Sequence, residues 1–154
     1  AFPHIKNKKE SPVVPVNYAI GSDYNRRSDI FGHSRSDESL KFKSFGDFVK
    51  EYSIDYIDYL KIDAEGGEYD IFTEENVDYL VNNVKHISAE FHLGKFEGIE
   101  EEFIRLRDNV LTKFDTSKFR YKNQELHEKL FDNNFIRTVG SGFTWMIYIC
   151  NKSL

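Results

Sequence analysis

The sequence predicts an α/β three-layer domain built on a mixed sheet. Three observations lead there. Two apolar, strand-like runs at 56–63 and 84–93 are joined by a helix-patterned segment over 69–82, the order of a parallel crossover. A clearer helical pattern spans 97–114. Strand-like segments at 135–139 and 143–150 flank Gly140-Ser141-Gly142, which predicts a closing antiparallel hairpin. A chain of 154 residues is one domain, and aromatic residues at 16% of it supply enough large rings to fill one core.

Taken in order, residues 1–12 are polar and irregular, with Pro3, Pro12 and Pro15 discouraging a helix. Residues 13–20 (VVPVNYAI) read as a strand, in which Pro15 marks an edge or a bulge. Gly, Ser, Asp, Asn and Arg dominate 21–38, a long loop or loose hairpin, and 40–42 forms a short strand. Ser44 then N-caps a helix to about Tyr52, with Phe45, Phe48 and Val49 inward and Asp47 at the third helical position. In the strand over 56–63, Ile57, Tyr59, Leu60 and Ile62 supply the bulk of a buried strand. The helix over 69–82 turns Ile71, Phe72, Val77, Leu80 and Val81 inward, and the strand over 84–93 ends in Glu90 and His92. Over 97–114, Ile99, Phe103, Leu106, Val110 and Leu111 recur at helical spacing against an acidic outer face. A further helix is expected at 123–133, with Leu126, Leu130 and Phe131.

Composition excludes several classes of function. A net charge of −5 leaves no basic field to draw nucleic acid. No apolar run approaches the ~20 residues of a membrane span. The single cysteine, Cys150, lies in a strand-like run; it excludes an internal disulfide and fits a reducing, cytoplasmic compartment. No apolar stretch follows Ala1-Phe2-Pro3, so no signal peptide is read, and the missing initial Met predicts a processed product or an incomplete reading frame.

Chemistry concentrates where the strand over 56–63 ends. Asp63, Glu65 and Glu68 follow closely, with Gly66-Gly67 between the last two. Open α/β sheets bind ligands at that edge, and crowded like charges mark functional sites. The plainer alternative is a half-buried Asp63, with Glu65 and Glu68 opening a helix whose dipole they suit. If the two central strands are parallel neighbours, ~4.8 Å apart, Asp63 and Glu65 lie beside Glu90 and His92. Such a group offers a carboxylate or imidazole base for a substrate hydroxyl, or oxygen-rich ligands for a divalent metal. Strand alternation puts Glu90 and His92 on one face, and Lys61, Asp63 and Glu65 together on another. Lys61 then neutralises an acid, and for His92 a structural hydrogen bond stands beside a catalytic one. His4, His33, His86 and His127 lack acidic neighbours at informative spacing and read as surface or packing residues.

Residues 61–68, KIDAEGGE, resemble the K-I-D-x-E-G-x-E signature of FkbM-type methyltransferases, which are class I S-adenosylmethionine-dependent enzymes. Other pieces follow in the family's order. Asn17-Tyr-Ala-Ile-Gly21 is similar to the N-x-A-[IL]-G segment after the third strand, and Ser44-Phe-Gly-Asp47 resembles the T-L-D-D helix start. Glu90-Phe-His92 resembles the E-x-H that ends the next strand. This resemblance covers about 13–150. It implies a Rossmann-like methyltransferase sheet whose antiparallel seventh strand lies in the terminal hairpin. It also implies S-adenosylmethionine as cofactor, with Asn17, Ala19, Ile20 and Gly21 on the adenosine side. Asp63, Glu65 and Gly66 would face the methyl-transfer centre, with Glu90 and His92 beside it. The implied reaction is O-methylation of a sugar or small metabolite, with Asp63 or His92 as base. The family's E/D-x-G-x-x-x-G turn does not occur, and the chain begins about where the third strand belongs. A C-terminal portion of the domain, without its first two strands, is therefore expected.

Two other classes stand beside this one. One is a non-catalytic α/β binding or assembly module whose exposed sheet edge pairs with a second copy in a homo-oligomer. The other is a divalent-metal-dependent hydrolase or nuclease using the same carboxylates. Against a nuclease stand the acidic balance and the lack of a basic, aromatic-interleaved surface.

Overall fold

The structure is a computed structural model that describes residues 16, 18–21, 41–64, 66–93, 97–116, 120–121, 128–138 and 143–151. The expectations for 1–12, 13–15, 22–38 and 123–127 lie outside the described residues. Strand β1 (Tyr18–Ile20) pairs in parallel with β2 (Lys41–Lys43), apart from the main sheet. Ser44 caps α1 (Phe45–Glu51) as its sequence predicts. Its hydroxyl accepts from the Asp47 amide at 3.0 Å and donates to the Asp47 carboxylate at 2.7 Å.

The main sheet contains β3 (Ile57–Ile62), β4 (Val84–His92), β5 (Arg120–Tyr121) and β6 (Thr144–Cys150). Their spatial order is β3-β4-β6-β5. As expected, β3 and β4 are parallel neighbours, with Ile62 opposite Ala89. On its other side β4 pairs antiparallel with β6, from His86 opposite Cys150 to His92 opposite Thr144. The result is a mixed α/β fold.

Three expectations need correction. The helix over 69–82 is two helices, α2 (Glu68–Ile71) and α3 (Val77–Asn83). Between them the Thr73 hydroxyl accepts from the Asn76 amide, and the Asn76 side chain donates to the Ile71 carbonyl at 3.0 Å. Such short polar side chains offer the backbone an alternative to helical bonding. Tyr59 is 59% exposed rather than buried, because it shares a face of β3 with exposed Lys61 while Ile62 on the other face is buried. Last, 135–138 belong to a helix, α5 (Asn133–Thr138), and not to a hairpin strand. The Asp132 carboxylate accepts from the amides of Asn134 and Phe135, which starts a helix where β-forming residues follow. The 97–114 pattern forms α4 (Ile99–Asn109) and a 3₁₀ turn at Leu111–Lys113. Of the helix expected at 123–133, the described part is a 3₁₀ turn at Glu128–Phe131.

The core is ring-rich and centred on β4. Phe91 contacts Tyr69, Phe72 and Phe103, while Phe103 stacks on Trp145 of β6. Large rings bury much area each and, offset or edge-on, attract one another further. This packing fixes the C-terminal end of β4, where Glu90 and His92 sit. Among the described residues, no helix is long and apolar enough to cross a membrane.

Candidate functional site

The site is built where β3 runs out. Gly66 has φ 111, a conformation that side chains resist. At Gly67 a Cβ would stand 3.0 Å from the Ala64 Cβ and 3.3 Å from the Ala64 carbonyl oxygen. One glycine thus answers a dihedral demand and the other a close approach within the chain itself.

That turn folds Glu68 back beneath it. Glu68 opens α2, as read from the sequence, but is 0% exposed. Its Oε1 accepts the Ala64 amide at 2.8 Å and its Oε2 the Gly66 amide at 2.8 Å. His92 Nδ1 lies 3.0 Å from Glu68 Oε1, and His92 is 5% exposed. The Tyr69 hydroxyl donates to the His92 carbonyl oxygen at 3.3 Å.

Above this buried pair, Asp63, Glu90 and His92 each bring one ligand atom to within 4.8 Å of the others. Lys61 reaches the same acids, its Nζ 3.1 Å from Asp63 Oδ2 and 3.7 Å from Glu90 Oε1. Burial lowers the Lys61 pKa, but the hydrogen bond and charge of Asp63, with those of Glu90, outweigh it and raise the pKa overall. The ammonium therefore neutralises the carboxylates. With both partners of the Lys61–Asp63 pair nearly half exposed, its contribution to stability is small. A metal ion held by Asp63, Glu90 and His92 would compete with Lys61 for two of its ligands. The chemistry on offer is a base beside two carboxylates, or a three-ligand cation site.

The signature turn also meets β1. The Ile20 carbonyl oxygen is 3.7 Å from where a Gly67 Cβ would be. Gly21 is buried, donates its amide to the Lys43 carbonyl at 3.0 Å, and a Cβ there would meet Asp70 Oδ2 at 2.9 Å. Ala19 is half-buried within β1. Gly21 and Asp70 also border a groove of about 920 Å³ that runs past Phe45, Asp47, Asn76 and Tyr79. Asp63, Glu90 and His92 are not among its lining residues.

Of the residues singled out in the sequence, the structure brings together Asp63, Glu90 and His92. Gly66 gives its amide to Glu68, the buried partner of His92, and the Ile20 carbonyl approaches the same turn at Gly67. Asn17 and Glu65 lie outside the described residues. Glu68 is the functional candidate that the helix-dipole argument passed over. Its signal was the second glutamate of the 61–68 motif, placed just after a glycine pair able to reverse the chain.

The family model of the methyltransferase FkbM domain matches residues 3–122. No curated protein and no solved structure matches the chain. The match spans the signature turn, the cluster of Asp63, Glu90 and His92, and the strands that carry them, with β6 beyond its end. The chain belongs to the FkbM methyltransferase domain family.

Proposed function

We propose that this domain is an S-adenosylmethionine-dependent O-methyltransferase acting on a hydroxyl of a sugar or small metabolite, in a cytoplasmic setting and on a three-layer Rossmann-like sheet. One observation carries the proposal. Asp63, Glu90 and His92 converge at the C-terminal ends of two parallel, adjacent strands within an FkbM methyltransferase domain.

The donor set fits the positive half of the cofactor. Asp63 and Glu90 bring two partly accessible carboxylates against the single Lys61 ammonium, which leaves a net negative charge of the sign that favours a sulfonium. Ala19, Ile20 and Gly21 lie on the adenosine side, with the β1 end against the signature turn. When bound, S-adenosylmethionine supplies a methyl group on a positively charged sulfur. The chain's own part is to hold the acceptor hydroxyl in line and to take its proton on His92, at the ring nitrogen not bonded to Glu68.

Calorimetric titration of the 154-residue chain with S-adenosylmethionine tests this. Micromolar binding is expected, with radiolabelled methyl passing to at least one member of a panel of monosaccharides and hydroxylated small molecules. The absence of both binding heat and methyl transfer would overturn the reading.

The ligand atoms gathered within 4.8 Å favour a second reading, a divalent-metal-dependent reaction at the same cluster. Millimolar magnesium or manganese should then raise the melting temperature, and Asp63→Asn should remove the shift. A flat response of the unaltered chain dismisses the metal.

A further inference from the structure

We propose that Lys61 selects the charge of the ligand at this site: its ammonium, held between Asp63 and Glu90, admits a singly charged group such as a sulfonium and excludes a divalent metal ion. The sulfonium rests on the proposed methyl transfer, whereas the exclusion of metal rests on the cluster alone.

Strand register puts the lysine there. Lys61 lies on β3 two residues before Asp63, so strand alternation carries both side chains to one face. Across the sheet Lys61 stands opposite Ser88, which is small and lies two residues before Glu90 on the same face of β4. The long stem therefore has room to reach the C-terminal ends of both strands. Its Nζ stops 3.1 Å from Asp63 Oδ2 and 3.7 Å from Glu90 Oε1. Burial lowers the Lys61 pKa, but Asp63 and Glu90 raise it overall, so the lysine keeps its charge.

Charge balance then separates the two kinds of ligand. Asp63 and Glu90 bring two negative charges and Lys61 one positive, which leaves one negative charge over. A sulfonium brings the sum to zero with Lys61 in place. A divalent ion makes it positive unless Lys61 withdraws. Carboxylate oxygens hold such an ion at about 2.0–2.6 Å, and these are the oxygens that Nζ already reaches. Metal and ammonium would crowd together, and like charges that close repel even in water. A lysine on the same strand as one of the ligands cannot diffuse away, so it competes at every metal concentration. Lys61 and Asp63 are both nearly half exposed, so water screens the repulsion and limits its effect on affinity to about 10–100-fold.

Manganese binding, read by loss of the free ion's electron paramagnetic resonance signal, tests this on the whole chain and its variants. Lys61→Met keeps the stem and removes the charge, whereas Lys61→Arg keeps the charge. The unaltered chain and Lys61→Arg should bind manganese alike and weakly, and Lys61→Met about 10–100-fold more tightly. Asp63→Asn added to Lys61→Met should abolish the gain, as expected of an ion at this cluster. Equal affinity in the unaltered chain and Lys61→Met overturns the inference. A gain that survives Asp63→Asn does so too, as does Lys61→Arg binding as tightly as Lys61→Met. If Lys61→Met fails to fold, Lys61→Gln, equally uncharged, takes its place under the same criteria. Calorimetry with S-adenosylmethionine on the same proteins separates the two proposals. A manganese gain without any cofactor binding overturns the enzyme proposal and leaves the exclusion of metal by Lys61 standing. Cofactor binding with no manganese gain overturns the role of Lys61 alone.

Discussion

His92→Gln should lower methyl transfer by about 10²–10⁴-fold while the chain still folds and still binds S-adenosylmethionine. Glutamine is close to histidine in size and keeps a polar head that can donate to Glu68, so the buried carboxylate retains its third partner. What it lacks is a nitrogen lone pair able to hold a proton. Formation of S-adenosylhomocysteine, with the best acceptor from the sugar panel, is the rate to follow. The melting temperature and the calorimetric affinity serve as controls. Turnover within threefold of the unaltered chain would remove His92 as the base and move the role to Asp63, the other candidate that the sequence offers.

Trp145→Ala should be the most damaging single change to stability. Trp145 is 0% exposed on β6, stacked on Phe103 at a centroid distance of 5.8 Å. Phe135 and Phe143 meet it edge-on at 5.9 and 5.7 Å. Truncating a buried ring of this size costs about 3–5 kcal/mol, through lost transfer energy and the cavity left behind. That is a large part of the ~5–15 kcal/mol available to a domain. Urea unfolding should show a much lower midpoint at similar slope. Trp145→Phe should cost far less, because it preserves the ring cluster and removes an indole N–H that has no partner among the described residues. A midpoint left unmoved by Trp145→Ala would mean that the aromatic cluster is not what holds β6 to α4.

Periodicity made the centre of the fold legible. The run at 84–93 reads as a buried strand and forms β4, with neighbours on both sides and with Val84, Ile87, Ala89, Phe91 and Leu93 buried. The spacing of Ile99, Phe103 and Leu106 likewise matches the buried face of α4. Where local hydrogen bonding competes with hydrophobic pattern, the pattern misleads. Phe135 and Ile136 look like strand residues, yet Asp132 caps a helix over them. Leu80 and Phe72 share a helical rhythm, yet Thr73 and Asn76 break the helix between them. At the site, Asp63, Glu90 and His92 were legible because strand direction alone brings them together. Glu68 was not, because its role depends on the chain reversing at Gly66 and Gly67, which no periodicity encodes.

The two sides of the cluster are unequal in stiffness. Glu90 and His92 ride on a strand laced by backbone bonds to β3 on one flank and to β6 on the other. Asp63 follows a strand with a single ladder among the described residues, and its carboxylate is fastened by a half-exposed lysine. Under thermal agitation the first wall behaves as an anvil and the second as a leaf spring. Under the proposed methyl transfer, an acceptor of unfamiliar size would be accommodated by displacement at Asp63 while the His92 ring keeps its place. On that proposal, tolerance toward different acceptors and precision in proton removal would fall to two neighbouring strands, so that one could change without the other.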